Sequence, residues 1–280
     1  HMTHIEDKVL YGGVNGTRDA INALRSLRDM LAGVDKGNVS VKWDGAPAIF
    51  AGIDPEDGKF FVAKKSVFNA TPKLYKTAKE IDDDGLSGSL NSKFKTALAE
   101  FSSLGITGIL QGDLMFTSED KSTEMIDGKS FITFQPNTIV YAVDPTSDIG
   151  KQINTAKIGI VWHTTYSGSA LQDMKASFGA SISKLTKSRN VWMDDATYKD
   201  VSGKATMTAS ETATVTKSLS SAGSTFQKIN SANLTKFLNL QNSMTGALAG
   251  ASLKTYNNSK VRQGQKISNP SQHAKGYEKW

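Results

Sequence analysis

Lys42-Trp43-Asp44-Gly45 places an amine, a carboxylate and a flexible backbone position within four residues. The flanking residues alternate: Val39, Val41 and Trp43 point one way, and Ser40, Lys42 and Asp44 the other. That is the period of a half-buried strand, so the ammonium and the carboxylate project from one face, two residues apart. Gly45 ends the strand where a backbone must turn sharply or let a ligand come close. An amine held this way is a candidate nucleophile once it sheds its proton. The plainer reading is an exposed Lys–Asp pair at a strand end, with Gly45 opening a turn.

The elements that must position these residues follow from periodicity. Thr17 to Ala32 reads as an amphipathic helix, with Ile21, Leu24, Leu27 and Leu31 on one side and Gly33 as a stop. After the lysine strand, Val39 to Asp44, come strands Ala48 to Ile53 and Lys59 to Lys65, joined by the turn Asp54-Pro55-Glu56-Asp57-Gly58. Residues 70 to 92, with Asp82-Asp83-Asp84 inside, read as loop with a short helix, and a helix follows from Asn91 to Leu104. Ile106 to Phe116, Phe131 to Asp144 and Lys157 to His163 are rich in β-branched and aromatic residues and predict further strands. Hairpins and loops connect them, which argues for a mixed, largely antiparallel α+β core. Residues 205 to 254 contain no proline and predict helices around Ala209 to Ala222 and Ser231 to Asn242. The expected organisation is a domain over 1–204 and a mainly helical region with a basic tail over 205–280.

Composition narrows the chemistry. There is no cysteine, which removes disulfides and thiolate metal sites, and His1, His4, His163 and His273 are too scattered for a zinc site. A reducing, cytoplasmic setting fits, no apolar run approaches membrane-spanning length, and no secretory leader is read. His1, before Met2, is left out of the functional argument. The net charge is +6, and Lys254, Lys260, Arg262, Lys266, Lys275 and Lys279 against Glu278 place most of the excess in the last 27 residues. A basic tail ending in Tyr277 and Trp280 suits phosphate-backbone contact; otherwise it is a solvated terminus.

Lysine, x, aspartate, glycine resembles the K-x-D-G signature of the covalent nucleotidyltransferases: DNA ligases, RNA ligases and mRNA-capping enzymes. In that superfamily the lysine attacks the α-phosphorus of a nucleotide and holds the monophosphate as a phosphoramidate. Further segments resemble its later motifs in the same order. Lys64-Lys65-Ser66 looks like the strand with a serine beside a basic residue. Gly112-Asp113-Leu114 looks like the Gly-Glu-Leu element whose acid serves the ribose. Tyr141-Ala142-Val143-Asp144, with Phe134 as a second aromatic, resembles the purine-stacking strand, and Ile158-Gly159-Ile160-Val161 resembles E-G-x-V. VKWDGAPAIFAGIDP and KIGIVWHTTY also make the whole chain similar to a protein family of T4-like marine phages.

The resemblance implies an adenylation-domain-like core in which Lys42 is the nucleophile and Asp44 a positioning or metal-binding acid. Gly45, Lys65, Asp113, Tyr141, Val161 and Lys187 would surround the nucleotide, and Asp44 and Asp113 would bind Mg²⁺ or Mn²⁺. Lys64, Lys260, Arg262 and Lys266 would contact nucleic acid. Lys64, Lys65 and the metal would also disfavour the lysine's proton. Departures are plain: Ile158 stands where the family has a metal-binding acid, and the last motif, K-x-K, has only Lys187-Ser188-Arg189 or Lys260-Val261-Arg262 to match. Pro47 replaces an arginine usual in DNA ligases and capping enzymes, which favours RNA. His163 reads either as a phosphate contact or as a hydrogen-bonded neighbour of the core.

The expected function is therefore an ATP-dependent polynucleotide ligase, RNA favoured over DNA, working as a monomer without a membrane partner, in host cytoplasm if phage-encoded. The alternatives are a DNA ligase, a nucleotidyltransferase that uses GTP or stops after loading, and a non-catalytic nucleic-acid-binding or virion-associated phage protein.

Overall fold

A computed structural model describes residues 4–34, 40–197 and 206–280. The fold is mixed α+β, in two compact units. One comprises Ser40–Lys199, and the other joins His1–Val39 to Asp200–Trp280.

The α/β unit is built on a six-stranded sheet of β1 (Ala48–Ile53), β2 (Phe60–Ala63), β3 (Ile109–Thr117), β7 (Ile158–Ser167), β8 (Lys175–Phe178) and β9 (Val191–Asp195). Its order is β2-β1-β3-β7-β8, antiparallel throughout. β9 lies parallel along the first half of the long β7, on residues 158–162, while β8 takes the second half. A second sheet, β4 (Ser122–Ile126), β5 (Lys129–Phe134) and β6 (Tyr141–Val143), is a three-stranded meander.

Three helices complete this unit: α2 (Ala78–Asp83), α3 (Ser89–Phe101) and α4 (Asp148–Thr155). In α3, Phe94, Ala97 and Phe101 recur at helical spacing, and all three are fully buried. They cover one sheet face, where Ile49, Val62, Leu114, Ile160 and Trp162 form the main core. Trp162 is fully buried and meets Phe101 edge to face at 5.4 Å. Alternation leaves β3 residues 109, 111, 113 and 115 on the opposite face, the one that matters below.

The helical unit contains α1 (Ile5–Leu31), α5 (Ala209–Phe226), α6 (Ser231–Ser243), α7 (Leu253–Arg262) and α8 (Pro270–Lys279). α1 begins well before the expected Thr17, with a local break at Gly13 (φ 58°) that glycine accommodates. It packs on α5 and α6, and Lys254 on α7 pairs with Asp7 at 2.6 Å. The first helix therefore belongs with the C-terminal helices, not with the domain expected over 1–204. The basic tail is no loose terminus either. α7 and α8 close on an aromatic cluster in which Tyr256 meets His273 at 4.9 Å and Trp280 at 5.3 Å.

α5 starts with a reciprocal cap: Glu211 N–H donates to Thr208 Oγ1 (3.2 Å), and Thr208 N–H donates to the Glu211 carboxylate (2.8 Å). Thr208→Ala should cost about 1 kcal/mol, read as a lower urea midpoint. Among the described residues, no helix is long and apolar enough to cross a membrane.

Candidate active site

Strand geometry around Lys42 differs from the expectation. Val39 lies outside the described residues, and regular pairing begins only at Ala48. Before it, Ser40 makes one isolated bridge to Thr197, and Val41 N–H donates to Ala196 O (2.8 Å). Residues 41–45 belong to no strand and have no continuous partner. Lys42 is exposed, whereas Trp43 turns into an aromatic cluster.

Gly45 is where this segment meets the sheet. Ala46 N–H donates to Leu114 O (2.9 Å) and Leu114 N–H donates to Pro47 O (3.0 Å), extending the β1–β3 pairing backwards. A Cβ on Gly45 would stand 2.7 Å from Asp113 Cβ, 2.9 Å from Leu114 O and 3.0 Å from Met115 Sδ. Only glycine lets the backbone pass this close. Gly45→Val should cost about 2 kcal/mol in thermal unfolding by forcing β3 and the lysine segment apart.

Asp113 sits in a row of neighbours across the sheet. Ala48 on β1 and Val161 on β7 are its register partners, and Asp194 on β9 faces Val161 from the other side. The β3–β7 register shifts between Gln111 and Gly112, leaving His163 as an extra residue on β7. That bulge brings His163 Nε2 to 3.6 Å from Asp113 Oδ1, with the Asp113 side chain 22% exposed. Gln111, two residues back on the same face, accepts from the Tyr166 hydroxyl (2.7 Å). This polar strip of Gln111, Asp113 and His163 separates two apolar clusters. One is centred on Phe50, Phe61 and Ile109, the other on Met115, Val161 and Trp192.

Asp44 is already engaged. Its Oδ1 accepts from Asn137 Nδ2 (2.8 Å), and its Oδ2 accepts from the backbone N–H of Thr138 (2.7 Å) and Ile139 (2.9 Å). These donors, Ile139 first, hold its carboxyl below the usual carboxylate range, with the charge of Lys42 adding to the effect. Its backbone N–H donates to the Tyr141 hydroxyl (2.9 Å). Tyr141 in turn stacks on Trp43 (5.7 Å, 24°) and Phe134 (5.4 Å, 13°). The ring expected on a purine therefore serves this aromatic ladder, and Asp44 clamps the β5–β6 loop.

The cations divide. Lys65 is exposed at the start of a short 3-10 turn, followed by Ser66, whose buried Oγ has no hydrogen-bond partner. Lys64 is spent: it donates to Asp84 (2.8 Å), which also takes Lys73 (2.6 Å) and the Tyr75 hydroxyl (2.7 Å). It is therefore held in an ion pair, where the sequence reading took it as free, although Asp84 shares its one charge between two lysines. Lys187 is exposed in the connection before β9. Lys260, Arg262 and Lys266 belong to the helical unit.

The residues brought together are thus Asp44, Gly45, Asp113, Tyr141 and Val161, with Lys42 within electrostatic reach of Asp44. Sequence reading missed the Asn137–Ile139 clamp and the role of Gln111. Only Gln111 left a signal, two residues before Asp113 on the same strand face. Among the described residues, no group of three or more His, Asp or Glu could hold a metal ion. Asp44 Oδ2 has both acceptor positions filled and suits a metal poorly. Asp113 differs in that its nearest ionic partner, His163 Nε2 at 3.6 Å, lies beyond hydrogen-bond distance. Mg²⁺ commonly takes one or two protein carboxylates and completes its shell with water and phosphate oxygens.

The chain belongs to a family of unknown function, DUF6267, whose sequence model matches residues 1–280. No curated protein and no solved structure matches it.

Proposed function

We propose that this member of the family is a covalent nucleotidyltransferase, an ATP-dependent polynucleotide ligase acting on RNA rather than DNA, with Lys42 as the nucleophile. One observation carries the reading. The segment behind Lys42 is pinned by Gly45 against Asp113, directly beside Val161. Three stretches that resemble separate superfamily motifs, 42–45, 112–114 and 158–161, thereby converge on adjacent strands.

In the first step the Lys42 amine, having lost its proton, attacks the α-phosphorus of ATP. An N–P bond forms, the bond from phosphorus to the bridging oxygen breaks, and pyrophosphate leaves with its electron pair. AMP then passes from Lys42 to a 5′-phosphate, and a 3′-hydroxyl displaces it to seal the strand. The exposure of Lys42 leaves room for a polynucleotide end to reach the lysyl-AMP. Asp113 would hold Mg²⁺ or Mn²⁺, which supplies positive charge against the phosphate oxygens when bound. Lys65 offers a further cation from the end of β2, with Lys187 a second. Asp44 keeps the lysine segment registered on the β5–β6 loop, and Val161 gives the site a dry floor. The chain works as a monomer, with a phage origin and a host-cytoplasm setting part of the same proposal.

The test is direct. The protein is incubated with α-labelled ATP or GTP and Mg²⁺, then denatured, and acid-labile label is sought on the polypeptide. ATP should label it and GTP should not. Label from GTP alone would transfer the reading to a capping-type enzyme. No label from either nucleotide would leave a nucleic-acid-binding protein, a reading that the fully engaged Asp44 favours.

A further inference from the structure

We infer that the hairpin of α7 and α8 carries a phosphate-binding pocket that takes a backbone phosphate of single-stranded polynucleotide. The proposal deepens only the polynucleotide part of the reading above and does not depend on the chemistry of Lys42.

The pocket encloses about 330 Å³, and Tyr256, Lys260, Lys266, Gln272, His273 and Gly276 are among its lining residues. No carboxylate lines it, and among the described residues neither Lys260 nor Lys266 has an acidic partner. Two unneutralised ammonium groups on one small cavity favour an anion. Gln272 and Asn269, also on the wall, add amide groups suited to phosphate oxygens.

Tyr256 supplies the second, independent observation. Its side chain is buried, with the residue only 5% exposed, yet its hydroxyl has no hydrogen-bond partner among the described residues. The hydroxyl oxygen itself keeps accessible surface, so a ligand oxygen entering the pocket can bond it. The hydroxyl points at Gly276, a pocket residue, where any Cβ would collide with it. The lack of a side chain at Gly276 thus lets the Tyr256 hydroxyl lie close to α8, among the residues that line the pocket. Lys260 Nζ lies 5.3 Å above the Tyr256 ring, which holds the cation over the same cavity. His273 also lines the pocket, with its Nε2 already bonded to Asn257 Oδ1 (2.6 Å).

Phosphate chemistry alone fits free phosphate as well as a polynucleotide, and the two are separated by experiment. The full-length protein is titrated with a fluorescent 5′-phosphorylated 12-mer RNA at several salt concentrations, by anisotropy. Lys260→Gln/Lys266→Gln should weaken binding about 10-fold at 50 mM salt and flatten the log–log salt slope by about one to two units. Tyr256→Phe, which keeps the aromatic cluster, should weaken binding about three- to fivefold with the slope unchanged. Millimolar inorganic phosphate should compete poorly; complete displacement by it would overturn the polynucleotide assignment in favour of a free anion site. Unchanged affinity in both variants would overturn the pocket. So would loss in the lysine variant with none in Tyr256→Phe, because diffuse surface charge would then suffice. All readouts are binding, so they stand whether or not Lys42 is ever labelled.

Discussion

Lys42→Ala should abolish covalent labelling by ATP, a drop of about 10³-fold or more, and leave the fold untouched. The effect on chemistry is total because no other amine occupies the segment registered on Asp113 by Gly45. The effect on stability is small, within about 0.5 kcal/mol, because the side chain is exposed and acts on its neighbours only through its charge on Asp44. Lys42→Arg should lose labelling as completely, since a guanidinium keeps its proton and cannot attack phosphorus. Lys65→Ala, removing a cation that only steadies the phosphates, should cost about 10-fold. Label that survives in Lys42→Ala would place the nucleophile elsewhere.

The second large effect concerns stability. Asp84→Ala should lower unfolding free energy by about 3 kcal/mol at neutral pH, measured by urea denaturation. The carboxylate is 11% exposed and takes Lys64, Lys73 and the Tyr75 hydroxyl together. Removing it strands a buried tyrosine hydroxyl (Tyr75 is 2% exposed) and leaves Lys64 without its counter-charge. Lys73 contributes least, being 60% exposed and solvated. Lys64 first, then Lys73 and Tyr75, hold the Asp84 carboxyl far below the usual carboxylate range. The group is charged in the folded state down to lower pH than in the unfolded chain. Its stabilisation is therefore fully present above about pH 4, the unfolded value, and fades as pH falls toward the folded value. The gap between wild type and Asp84→Ala should accordingly be constant from pH 5 to 8 and shrink at pH 3. A gap that widened on acidification would contradict the assigned role.

The acidic run shows how far the sequence could be read. Asp82, Asp83 and Asp84 look alike as a string, yet each serves a different lysine: Lys95, Lys79 and the Lys64–Lys73 pair respectively. Partner choice depends on which way α2 turns, which no local pattern encodes. β1 was legible to the residue because its apolar run is bounded by turn signals. β4 was not, since all five of its residues are exposed and carry no periodic signal. The α7–α8 hairpin read as charge because its packing face is aromatic and polar, Tyr256, His273 and Tyr277, instead of aliphatic. In the site, Gly45 was legible as a place of sharp turning or close approach, and what comes close there is Asp113. The clamp on Asp44 was not, because its donors lie more than 90 positions downstream.

The union of Asp7 with Lys254, 247 positions apart, governs how this polypeptide can be cut and made. A fragment ending at 204 would strand the leading helix with its apolar stripe bare to water, inviting aggregation. During translation, the opening helix must wait until its packing partners α5 and α6 emerge.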